Sequence, residues 1–134
     1  MALTTTDLRE FAQTTADFLN IRYFDGVLQF QVAINPRFAT HWFMRVKATK
    51  GSTATIVINP AMCHASLYEI EEVLTHELIH VAQHALGYQL GHQATFRQIA
   101  KQFGIPTESS IRCSSMLVRT PRQMKAGVAE IPKL

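Results

Sequence analysis

The feature that constrains this chain most is His76-Glu77-Leu78-Ile79-His80, set inside one apolar-periodic segment from about Leu67 to Leu86. Ile70, Val73, Leu74, Leu78, Val81, Ala82 and Ala85 recur at the three-and-four spacing of a helix with a buried stripe. Ser66 and Glu69 hold capping-box spacing at its start, and Gly87 supplies a stop at its end. Glu69, Glu71 and Glu72 crowd the first turns, where the helix dipole favours negative charge. Two histidines four residues apart on such a helix project from one face, about one turn apart. Both imidazoles can then reach one metal ion, and Glu77 can reach a water on that ion and act as general base. The pattern points to zinc-dependent hydrolysis of a peptide bond. It also asks for a third ligand.

Two histidines compete for that place. His84 continues the row on the same helix face, but His76 to His84 spans about 11 Å, two helical pitches, too far for three ligands to converge on one tetrahedral ion. His92 follows Gly87-Tyr88-Gln89-Leu90-Gly91, where two glycines mark a reversal, and opens a second helical pattern with Phe96, Ile99, Ala100 and Phe103 inward and Gly104 at its end. A histidine delivered by so short a loop can fold back to the first two. The expected ligands are therefore His76, His80 and His92, holding one zinc ion. His84 is left as a group behind the ligands or a partly buried face residue, and His41 and His64 as surface or capping residues. The longer spacing H-E-x-x-H-x-x-G-x-x-H is not met, because Val81 to Leu86 holds neither its glycine nor its last histidine.

Upstream, Thr4-Thr5-Thr6-Asp7 offers capping groups to a helix over about residues 6 to 22, with Leu8, Phe11, Ala12, Thr15, Phe18 and Leu19 forming an inward, partly aromatic stripe. Asp25-Gly26 marks a turn. Three strand-like runs follow, Leu28 to Ile34, His41 to Ala48 and Thr53 to Ile58, and Lys50-Gly51-Ser52 is short enough to join the last two as an antiparallel hairpin. Trp42, Met44, Val46 and Ala48 alternate with Phe43, Arg45 and Lys47, which predicts one covered and one wetter face. Trp42 is read as core. A short helix over Thr107 to Leu117 ends before Thr120-Pro121, and a basic, mobile tail follows.

At 134 residues, 47% hydrophobic and 17% charged, the chain suits one globular domain, expected over residues 1–120 with a basic tail at 121–134. No apolar run is long enough to span a bilayer, and the N-terminus lacks a secretory pattern, so a cytoplasmic protein is expected. Only Cys63 and Cys113 occur, which excludes a disulfide framework or a four-cysteine zinc site and leaves both as small core residues. Charge is uneven. From Gln93 onward there are seven basic residues against two acidic, a balance that suits a nucleic-acid backbone as well as a plain solvated surface.

Assembled in order, Tyr23-Phe24-Asp25-Gly26-Val27-Leu28, Ile56-Val57-Ile58-Asn59-Pro60, His76-Glu77-Leu78-Ile79-His80 and Gly91-His92-Gln93-Ala94-Thr95-Phe96 resemble the SprT-like metalloprotease family, which includes the DNA-dependent protease Spartan. The resemblance covers about residues 8 to 104. It implies an α+β, zincin-like fold: an N-terminal helix, a small three-stranded mixed sheet, the active-site helix, and a second helix carrying the third ligand. It also implies His76, His80 and His92 as zinc ligands and Glu77 as catalytic base. Many relatives carry a C-terminal zinc ribbon with paired cysteines, which this sequence does not supply.

The function expected is a zinc metalloendopeptidase acting on protein or peptide substrates. DNA-associated proteins are possible targets, with DNA contact through the basic C-terminal third and a nucleoid or nuclear setting. Tyr88, His84 and Arg97 are candidates to steady the oxyanion. The alternative is a non-catalytic DNA- or protein-binding module that keeps a zinc site of this type.

Overall fold

The structure, a computed structural model, describes residues 3–35 and 43–106. Its elements run α1 (Thr5–Phe24), β1 (Phe30–Ile34), β2 (Met44–Lys47), β3 (Ala54–Ile58), a 3-10 turn (Pro60–His64), α2 (Leu67–Ala85) and α3 (Ala94–Gln102). His41, Trp42, Cys113, the Thr107–Leu117 helix, the boundary at 120 and the basic tail lie outside the described residues.

The strands form one mixed sheet in the order β1-β3-β2. β3 is central, parallel to β1 (Val32 opposite Ile56) and antiparallel to β2 (Val46 opposite Ile56). A strand paired on both edges has its backbone satisfied and can be apolar almost throughout. Ala54, Ile56, Val57 and Ile58 are accordingly buried. On β2 the alternation holds: Met44 is buried and Val46 half-buried, while Arg45 and Lys47 are exposed. The β2–β3 connection closes as the expected hairpin, Ser52 N–H donating to Thr49 O at 2.9 Å.

α2 is the centre of the molecule. Its start is fixed by the capping box, Glu69 N–H on Ser66 Oγ at 3.0 Å and Ser66 N–H on Glu69 Oε1 at 3.1 Å. It packs against α1, α3, β2 and β3. Every residue from His76 to Gln83 is buried, as expected of a helix covered on all sides. His76, Glu77, His80 and Gln83 are thus polar groups in an interior built from Ile70, Leu74, Leu78, Ile79 and Val81. Buried polar groups persist only with partners. That makes this stretch the place to look for chemistry.

Three expectations need correction. Phe18 is 58% exposed, not core. The buried stripe of α1 runs Leu8, Ala12, Ala16, Leu19, Asn20 and Phe24, so Phe11 lies at its margin and Phe18 on the outer side. The first strand begins at Phe30 and not Leu28, because Asn20 takes both backbone groups of Leu28 (Nδ2 to O at 3.0 Å, N–H to Oδ1 at 3.2 Å) and removes it from the ladder. The helix after α2 begins at Ala94, which leaves His92 in the loop before it. Among the described residues no helix is long and apolar enough to cross a membrane.

Candidate metal centre

His76 and His80 stand one turn apart on the buried face of α2, and the loop ending in Gly91 brings His92 back over them. His80 Nε2 and His92 Nε2 each lie 3.1 Å from His76 Nε2, and the three ligand atoms fall within 4.8 Å of one another. A tetrahedral ion with Zn–N bonds near 2.0–2.1 Å needs its nitrogens about 3.3 Å apart. The fit is close. Three ring nitrogens aimed at one point, in a pocket of imidazoles and apolar side chains, can hold a metal ion. His76 and His80 are buried and His92 is exposed on one side, so access is from the His92 side.

Phe96 explains why Gly-His-x-x-x-Phe acts as a unit. Four residues after His92 and fully buried, its ring lies 4.8, 5.1 and 5.2 Å from those of His76, His80 and His92. It forms an apolar floor that limits how the imidazoles can tilt. Burial lowers the His80 pKa to about 4, opposed by a hydrogen bond to Gln83 and helped by His92 nearby; burial lowers His92 as well. Both rings are therefore neutral at pH 7, the state a metal ligand requires. Glu77 is buried, burial pushes its carboxyl well above the usual range, and its Oε2 has no hydrogen-bond partner among the described residues. A buried carboxyl oxygen left open on the residue after His76 is a polar group that calls for a partner.

His84 takes the second of the two roles expected of it: it is half-buried, and its Nε2–H donates to Ser52 O at 2.7 Å, tying α2 to the β2–β3 hairpin. A residue behind a candidate ligand is Gln83, which sequence reading passed over: its Oε1 lies 2.7 Å from His80 Nδ1. Its signal was there, an uncharged amide three residues after His80 among apolar neighbours, and i to i+3 residues share a helix face. His64 is exposed at the end of the 3-10 turn. Cys63 is a free, half-buried thiol, in keeping with a small packing residue. A groove of about 950 Å³ lined by Lys50, Ser52, His84, Tyr88 and Leu90 runs beside the C-terminal end of α2, but none of the three clustered histidines lines it.

The SprT-like family matches residues 12–115, from within α1 to beyond α3. No curated protein matches the chain. A family match over most of the chain coincides with the three-histidine cluster at the motif positions. The chain belongs to the SprT-like family.

Proposed function

We propose that this protein is a zinc-dependent endopeptidase, with His76, His80 and His92 as ligands and Glu77 as general base. The observation that carries this reading is the convergence of three imidazole nitrogens at the motif positions, with Glu77 next in sequence to His76 and one of its buried oxygens unpartnered among the described residues. The three imidazoles would hold a zinc ion, which when bound would supply a Lewis acid for the scissile carbonyl and an acidified water, of pKa about 7. Glu77 takes the water's proton as the carbonyl is attacked and passes it to the leaving amine. Its desolvated carboxyl favours this exchange, since burial makes it a stronger base than a carboxylate in water. The substrate class is an extended protein segment. Arg97 and Lys101, exposed one turn apart on α3, begin the basic third through which DNA-bound targets would be reached.

Glu77→Gln tests the mechanism. The variant should retain zinc and lose cleavage of an unstructured protein by about 10²–10⁴-fold, the usual worth of a general base. Turnover that survives in a clean Glu77→Gln preparation would end this assignment. Running the assay with and without single-stranded DNA, at low and high salt, tests the DNA contact, which should weaken as ionic strength rises. Zinc bound without cleavage under any condition would favour the binding-module reading.

A further inference from the structure

We propose that Gln83 is the positioning residue of the metal centre: its one amide sets the tautomer of His80 and clamps the corner that delivers His92. The inference rests on reading those histidines as ligands.

The hydrogen-bond network dictates the orientation of the amide. Gln83 is fully buried on α2. Its Nε2 lies 3.0 Å from Gly91 O and 3.0 Å from Thr95 Oγ1. A backbone carbonyl can only accept, so the amide nitrogen must face Gly91 O. Oε1 then faces the other way, accepting Gly91 N–H at 3.3 Å and meeting His80 Nδ1 at 2.7 Å. An amide oxygen carries no proton, so the hydrogen in that short contact belongs to Nδ1. A neutral imidazole has one N–H, and His80 Nε2 is left with its lone pair aimed at His76 and into the cluster. The opposite tautomer would set two acceptors face to face at 2.7 Å and put a proton where an ion would sit.

The same amide holds both backbone groups of Gly91, the residue before His92, and the hydroxyl of Thr95, three residues after it. His92 comes from a loop, not a helix, so nothing in regular structure fixes its reach. Gln83 fixes it from both sides. One side chain thereby coordinates the orientation of a ligand on α2 with the position of a ligand from the loop. Partners behind metal-bound histidines act in this way, and losing one costs about 10–100-fold in metal affinity.

Two substitutions separate the two tasks. Gln83→Glu still accepts from His80 Nδ1–H but cannot donate to Gly91 O or Thr95 Oγ1; Gln83→Met, of similar size, does neither. The readouts are the ¹⁵N shifts of His80 in the metal-free protein and the zinc dissociation constant from competition with a chelator. Wild type should show His80 protonated at Nδ1. Gln83→Glu should keep that tautomer and bind zinc with intermediate affinity. Gln83→Met should show mixed tautomers and bind about 10–100-fold more weakly. His80 found protonated at Nε2 in wild type, or Gln83→Met within twofold of wild-type affinity, would overturn the inference while leaving the ligands in place. Wild-type protein that takes up no zinc would overturn the ligand reading itself. Should Gln83→Met fail to fold, the tautomer in wild type and Gln83→Glu still decides.

Discussion

Asn20 on α1 and Gln83 on α2 solve the same local problem with different consequences. Each is a buried amide near the C-terminal end of a helix, and each grips both backbone groups of the residue eight positions on, Leu28 or Gly91. Each spans a turn that holds a glycine in the left-handed region, Gly26 at φ 74° just after Asp25 at φ 53°, and Gly87 at φ 80°. There the likeness stops. Both bonds of the Asn20 clamp go to the backbone, and what it fixes is the entry to β1. The Gln83 clamp has further bonds, to His80 and Thr95, and what it fixes is a pair of candidate ligands. A clamp made of one amide becomes part of a site when a titratable ring lies within its reach.

Acid should separate the two clamps most. His80 beside Gln83 has its pKa lowered from 6.5 to about 4. In the metal-free protein the unfolded chain therefore takes up this proton first as pH falls. The stability it contributes is complete above about pH 6.5 and is lost on the way down to about pH 4, on the order of 3 kcal/mol. Glu77 works in the opposite direction: its raised pKa means the fold gains as pH falls, and it costs stability at neutral pH. Metal-free Glu77→Gln should accordingly melt higher than wild type at pH 7, and in that background the acid loss from His80 stands uncovered. Thermal unfolding across pH 7 to 4 measures both. A flat profile in Glu77→Gln would mean His80 is not held neutral by burial.

Zinc should separate them next. Zinc at 100 times the dissociation constant adds about 2.7 kcal/mol to stability by mass action. That increment should survive whole in Asn20→Leu, although the substitution itself costs about 1–3 kcal/mol by stranding Leu28 N–H and C=O. In Gln83→Met, at the same zinc concentration, the increment should shrink by about 1.3–2.3 kcal/mol, the mass-action consequence of a 10–100-fold affinity loss. Melting curves with and without zinc for the three proteins give the comparison directly. Equal increments in all three would reduce Gln83 to a second Asn20.

The sequence showed much of this and hid a specific part. The cluster of His76, His80 and His92 was legible because metal chemistry restricts residue type and helix geometry restricts spacing. The capping box and the β2–β3 hairpin were legible because their signals are local. Phe18 misled because Phe11, Thr15 and Phe18 share helical spacing just as Leu8, Ala12, Ala16 and Leu19 do. Only packing decides which stripe is buried, and two alanines let α1 lie close to its neighbours where aromatics would hold it off. Both clamps were missed for one reason. Glutamine and asparagine on a helix read as surface, and their meaning comes from a loop residue that folding brings to them.

The smallest effect probes where the clamps remain alike. Gly87 N–H donates to His84 O and Tyr88 N–H to Gln83 O, closing α2 with paired C-terminal bonds that need a left-handed residue at position 87. A Cβ at Gly87 would meet nothing within 4 Å, and at Gly26 only Ile21 Cγ1 at 3.7 Å, an ordinary contact. The cost of alanine at either place is therefore conformational, about 1 kcal/mol, and the two should match within a few tenths in the metal-free protein. They should part company with zinc present. Gly87 begins the loop that carries His92, so any loosening there reaches a ligand, whereas loosening at Gly26 reaches only β1. Gly87→Ala should lose part of the zinc increment and Gly26→Ala none of it. If Gly87→Ala also keeps the whole increment, the Gln83 clamp holds the His92 corner without help from the turn before it.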